Sequence, residues 1–202
     1  MNKNIITSVL LTLLIFPMFA QKEVSSNIDQ YRNKGYFNIT KFGYIFVGDA
    51  TLETFSPEEG VVVTSLPTDK AGAFTLHTIN GYFFNPYFSL GLGFGLDGYR
   101  NPRYNTLPVY LDLRGYFNDA LTSPYAFLNY GTLVKIENGP KNGNMFNIGV
   151  GYKLPLNDDS RFVLVGDIAY SYKAVSNDGE SIRNSNSYVR LKGVMLSIGV
   201  MF

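Results

Sequence analysis

The chain has 202 residues, one histidine, no cysteine and no tryptophan, with 17 Lys+Arg against 16 Asp+Glu. That length suits one domain, the even charge balance argues against a nucleic-acid partner, and the lack of cysteine excludes a disulfide scaffold, a thiolate zinc site, a cysteine nucleophile and a lipoprotein anchor. Charged residues make up only 16% against an ordinary ~25%, and hydrophobic residues 46%, so the chain has apolar surface to bury and is no disordered tail.

In chain order, residues 1–20 come first. Lys3 gives a short positive start, Ile5 to Phe16 form an apolar run, and Pro17 breaks any helix before Ala20. This is the layout of a secretory signal peptide, with cleavage expected between Ala20 and Gln21, although Met18 is larger than the small residue usual at that position. The run is shorter than the ~20 residues that cross a bilayer as a helix. Residues 21–34 read as a short N-terminal segment and residues 35–202 as the folded domain.

From residue 35 onward the pattern has a period of two, which places alternate side chains on opposite faces of a strand. The first two segments, Gly35–Val47 and Ala73–Phe84, alternate least cleanly; a bulge is expected near Lys41, and the register of the second is open. In the third, Phe88, Leu90, Leu92, Phe94 and Leu96 oppose Ser89, Gly91, Gly93, Gly95 and Asp97. In the fourth, Leu107, Val109, Leu111, Leu113 and Phe117 oppose Tyr110, Asp112, Arg114 and Tyr116. The fifth sets Ala126, Leu128, Tyr130, Val134 and Ile136 against Phe127, Asn129, Gly131 and Lys135. The sixth sets Phe146, Ile148, Val150, Tyr152 and Leu154 against Asn147, Gly149, Gly151 and Lys153. The seventh sets Phe162, Leu164, Ile168, Tyr170 and Tyr172 against Val163, Val165, Asp167, Ala169, Ser171 and Lys173. The eighth sets Val194, Leu196, Ile198, Val200 and Phe202 against Met195, Ser197, Gly199 and Met201.

Eight such segments imply an all-β fold, an eight-stranded antiparallel up-and-down transmembrane β-barrel. The turns at Asn85-Pro86, Asn118–Pro124 and Pro155–Ser160 are short. Residues 49–72 and 175–187 are the longest connections, polar and rich in turn formers. Short turns on one side and long loops on the other match a barrel with periplasmic turns and extracellular loops. Tyr and Phe gather at both strand ends, as two membrane interfaces select. A secreted soluble barrel would have to show water a face of Gly91, Gly93, Gly95, Gly149, Gly151, Ser197 and Gly199, with few charges, unlike soluble surfaces.

The stretch INGYFFNPYFSLGLGFGLDGYR, followed by LPVYLDLRGYF, resembles small eight-stranded outer-membrane β-barrel proteins of Bacteroidetes-type bacteria, broadly similar to the OmpA/OmpX-like barrels. The row Val194, Leu196, Ile198, Val200 and Phe202 is similar to the C-terminal signal read by the barrel insertion machinery. The resemblance implies the outer membrane of a Gram-negative bacterium as the location, with outer-membrane lipids, lipopolysaccharide, the insertion machinery and periplasmic chaperones in transit as partners. It supplies no activity. No peptidoglycan-binding domain follows the barrel, so a wall tether is not implied.

Residues with chemical content are few. The glycines of Gly91-Leu-Gly-Phe-Gly95 alternate within a strand with no helix after them, so they thin an inner wall rather than cradle phosphate. His77 stands alone, which excludes a two-histidine metal site; Ser171 and Ser197 are its conceivable nucleophilic partners, with no carboxylate at a recognisable spacing. Asp97, Asp112, Arg114, Lys135, Lys153, Asp167 and Lys173 all fall on the inner face and are expected to pair as a luminal polar network. Arg114 suits its centre, since a planar fork can serve two carboxylates. Glu53, Glu58, Glu59 and Asp69 give the first long loop an acidic cast. No catalytic residue, metal site or cofactor is assigned. The expectation is a non-enzymatic barrel, structural or interacting with a surface ligand through extracellular loops 49–72 and 175–187. A narrow channel for small solutes or ions is the alternative, and a lipid-modifying enzyme the third reading.

Overall fold

The computed structural model describes residues 33–56, 60–101, 105–120, 122–134, 141–156, 162–176 and 187–202. The expected leader, its cleavage site and most of the segment 21–34 lie outside them, as do Lys135, Ile136 and most of the loop 175–187. The described strands are β1 (Gly35–Ser56), β2 (Gly60–Ser65), β3 (Gly72–Asn85), β4 (Phe88–Arg100), β5 (Asn105–Tyr116), β6 (Ser123–Val134), β7 (Lys141–Pro155), β8 (Val163–Ser176) and β9 (Ser187–Met201). All pair antiparallel in one sheet of order β2-β1-β3-β4-β5-β6-β7-β8-β9, and β1 also pairs with β9. That last pairing closes β1 and β3–β9 into an eight-stranded barrel, and β2 stands outside the ring.

Closure removes the free edges that make an open sheet a template for aggregation. The seam runs from Ile39↔Met201 to Thr54↔Ser187. It is completed by Asn38 N–H donating to Phe202 O at 2.7 Å and Phe202 N–H donating to Asn38 O at 2.9 Å. The final residue is thus paired to the start of the first strand.

The two faces sort as alternation requires. Outward side chains stay exposed, with Leu92 at 52%, Val150 at 54% and Ile198 at 56%. Inward ones, Ile79, Phe127, Met145 and Met195 among them, are buried in the lumen. The β4 glycines earn their place through close approach: a Cβ on Gly93 would lie 2.2 Å from the Tyr110 ring, and one on Gly95 only 2.1 Å from the His77 ring. Two large rings therefore press close against a wall stripped of side chains.

Three expectations change. The bulge is not at Lys41; β1 pairs regularly with β3 from Gly35 to Phe46, and its irregularity falls between Val47 and Asp49 on the β9 side. Lys41 therefore points into the lumen. The second segment has an unbroken register against β1. The first long loop is largely strand: β1 continues to Ser56 and folds back as β2, pairing from Thr51↔Ser65 to Ser56↔Gly60. Eight residues beyond Gly48 at ~3.4 Å each and a ~40° tilt carry this hairpin about 20 Å past the outer aromatic belt.

Because the seam ends on Phe202, deleting that residue is expected to lower the membrane-inserted yield far more than Met201→Leu does. Equal yields, read from the folded band of unheated gel samples, would contradict the role given to the terminal pairing.

Candidate functional site: the luminal polar network

Inward residues of eight tilted strands meet across a space wide enough only for side chains. The structure sorts the charged ones into three clusters, with Lys153 apart from them at the short-turn end. Nearest the outer end, Asp97 of β4 takes the load. His77 Nε2 lies 2.9 Å from its Oδ1, and Thr106 Oγ1 donates to its Oδ2 at 3.0 Å. Lys173 of β8 reaches across the lumen to the same Oδ2. Tyr110 Oη lies 3.0 Å from His77 Nδ1. With Nε2–H donating to the carboxylate, Nδ1 accepts from the tyrosine hydroxyl, so a neutral imidazole is satisfied on both sides.

Asp112 and Arg114 form the second cluster, two residues apart on the inner face of β5. Arg114 Nε donates to Asp112 Oδ1 at 2.7 Å, and Nη2 to Oδ2 at 3.2 Å. Asn129 Nδ2 donates to Asp112 Oδ2 at 2.6 Å, and Asn129 Oδ1 accepts from Asn147 Nδ2 at 3.4 Å. The guanidinium carbon is 5.0 Å from the Tyr125 ring centre and 5.4 Å from that of Phe127, and contact with the two neighbouring rings offsets part of its desolvation.

The third cluster centres on Asp167 of β8. Lys41 Nζ is 2.7 Å from Oδ2, Ser197 Oγ donates to Oδ2 at 3.0 Å, and the Tyr125 hydroxyl donates to Oδ1. The Lys41 ammonium also stands 4.9 Å from the Phe127 ring centre, on the ring that Arg114 shares. Lys153, near the short-turn end, donates to Asn33 Oδ1, and Asn33 Nδ2 donates to Pro86 O at 2.7 Å. That chain of bonds spans the narrow mouth from β7 to the β3–β4 turn.

Six of the seven residues expected in a luminal network are thus placed: Asp97, Asp112, Arg114, Lys153, Asp167 and Lys173 are all buried. They divide among separate centres rather than one. Arg114, whose fork could serve two carboxylates, bonds Asp112 alone among the described ones, while Asp167 is held by Lys41. His77 bonds neither Ser171 nor Ser197 among the described residues. Its carboxylate partner is Asp97, which faces it through the β3–β4 register one inward position away, from His77↔Gly95 to Thr75↔Asp97. Lys41 and His77 are the members that residue order alone did not assign. The row Val194, Leu196, Ile198, Val200 and Phe202 lies on the outward face of β9.

No family model and no curated protein matches the chain. Among solved structures it is similar to the outer-membrane protein OprG from Pseudomonas aeruginosa, with a TM-score of 0.54 and 13% identity over 85% of this chain and 97% of that one. It is also similar to the outer-membrane protein AlkL in lipid bilayers, with a TM-score of 0.52 and 14% identity over 90% of this chain and 94% of that one. The likeness is one of fold. The chain has the architecture of a small outer-membrane β-barrel.

In such a barrel each luminal ion pair is desolvated on both sides, and removing one partner strands the other. Arg114→Ala is therefore expected to destabilise the refolded barrel by roughly 3–5 kcal/mol in urea titrations in lipid vesicles. A loss near the ~1 kcal/mol of exposed pairs would instead show a hydrated lumen.

Proposed function

We propose that the protein is a non-enzymatic integral barrel of the Gram-negative outer membrane, acting through what it presents beyond the membrane rather than through its lumen. On this reading it is exported with a leader cut after Ala20, and its outward β9 row ending in Phe202 is read by the insertion machinery. The outward face supports the placement. Leu92, Leu111, Leu113, Val150, Ile168 and Ile198 form an apolar band, with Tyr36, Tyr82 and Tyr152 toward one end and Phe46, Phe74 and Tyr130 toward the other.

The observation that carries the role is the state of the lumen. Three carboxylate clusters and the Lys153–Asn33–Pro86 bridge are spread along it from one end to the other, with Asp97, Asp112, Arg114, Asp167 and Lys173 all buried, and on this reading the lumen is closed to solutes. The free surface lies at the opposite end, on the β1–β2 hairpin. Phe55, Val61 and Val63 share one face there, at 51%, 63% and 57% exposure. Arg190–Glu53 and Lys192–Asp49 ion pairs, 2.7 and 2.8 Å, tie the extended part of β1 to β9. An apolar patch on a braced hairpin suits contact with another molecule at the cell surface.

Planar-bilayer recording of the refolded mature protein tests this first. A quiet baseline is expected; large, stable openings would overturn the plugged lumen and put a channel in first place. A variant with residues 50–66 replaced by a tight turn should insert normally and lose adhesion of cells to protein-coated surfaces. Unchanged adhesion would remove the hairpin from the reading and leave a structural role.

A further inference from the structure

The outward wall breaks its apolar rule on β1 and β3, next to the Tyr36–Tyr82 end. On the outer face of β1 and β3, Asn38 sits opposite Asn80, and Thr40 opposite Thr78. Asn38 Nδ2 donates to Asn80 Oδ1 at 2.9 Å and to Thr78 Oγ1 at 3.1 Å. Thr40 Oγ1 donates to Asn38 Oδ1 at 3.1 Å and lies 3.3 Å from Thr78 Oγ1, and the Tyr36 hydroxyl donates to Asn80 Oδ1 at 2.5 Å. Each pair of residues climbs a tilted strand by about 5 Å. The asparagine pair therefore lies about 5 Å, and the threonine pair about 10 Å, inside the Tyr36–Tyr82 belt.

On the membrane placement proposed above, that depth is hydrocarbon, which offers a polar group no partner. The cluster satisfies most of itself, and Asn38 is only 2% exposed. Asn80 is the exception. Its Oδ1 accepts twice, while its Nδ2 makes no hydrogen bond among the described residues. At the same depth on β7, across the barrel, the wall carries Val150 and Ile148.

We propose that this face of β1 and β3 is where two copies of the chain meet in the membrane, with Asn80 beside the twofold axis. A twofold axis along the membrane normal sets a patch against its own copy. With both lone pairs of Oδ1 already used, the idle Nδ2 of each copy donates to a threonine oxygen of the other, since a hydroxyl keeps acceptor capacity. Another protein would need a matching polar patch at the same depth; a second copy has one by identity. Phe42 and Leu76 above, and Tyr82 below, frame the patch with exposed apolar surface for packing. Polar glue within a packed interface is how membrane segments associate where hydrophobicity gives no drive.

The chain has no cysteine, so single cysteines report without background. Leu76→Cys, beside the patch, and Val150→Cys, on the opposite wall, are treated with a short bismaleimide in intact outer membranes. Leu76→Cys is expected to give an adduct of twice the chain mass at least tenfold above Val150→Cys, and adding Asn80→Leu should abolish most of it. Equal cross-linking of the two sites, insensitivity to Asn80→Leu, or an adduct of another mass would overturn the proposal. Sedimentation equilibrium of refolded wild-type protein in density-matched micelles needs no variant; a monomer at every concentration would also overturn it. Failure of the wild-type chain to float with outer membranes would instead sink the membrane placement, a separate result.

Discussion

Everything in this fold answers to the width of its lumen. Eight tilted strands enclose a space that side chains fill, with little room for bulk water. An inward residue must therefore be small, apolar or paired. The β4 glycines meet the first condition, leaving a bare wall on which Tyr110 and His77 lie. Ile79, Met145 and Met195 meet the second. The buried Asp, Lys and Arg residues meet the third, each carboxylate drawing donors from several strands at once. Asp97 is bonded from β3, β5 and β8, and Asp167 from β1, β6 and β9, so each centre stitches distant parts of the ring together.

The barrel was legible in the sequence because each strand from Phe88 onward keeps a strict period of two. A slip of one residue in β4 would turn Leu90, Leu92 and Leu96 inward and Gly91, Gly93 and Gly95 outward. Departures came where local pattern and pairing disagree. Around Lys41 the order Phe37, Ile39, Lys41, Ile45 mixes charge with apolar residues on one face, which reads as a bulge until a carboxylate is found opposite. The true irregularity falls near Gly48, where backbone freedom makes an extra residue cheap. The β1–β2 hairpin was hidden because Val61, Val62 and Val63 do not alternate: neither face of that strand is a core.

Which charges share a centre was less legible than which face they occupy. Facing follows from parity along one strand, but partners follow from the stagger between strands. Lys173 and Asp97 are 76 residues apart, and Lys41 and Asp167 are 126 apart, separations about which spacing in the chain is silent. Asp112 and Arg114, two residues apart on one strand, are the pair that parity alone brings together. The polar patch on the outer wall was missed for a related reason: Asn38, Thr40, Thr78 and Asn80 are ordinary strand residues singly, and only the β1–β3 register gathers them.

The claim that buried luminal pairs hold this barrel is tested most directly by a double-mutant cycle on Lys41 and Asp167. Lys41→Met, Asp167→Asn and the double variant are compared with wild type by urea unfolding in lipid vesicles. Each single change is expected to cost roughly 3 kcal/mol, because it strands a buried polar partner. The double should cost little more than either single, giving a coupling of at least ~1.5 kcal/mol. Additive losses of ~1 kcal/mol or less at both positions would mean that water already screens the pair, and the lumen would then be an open path rather than a packed core.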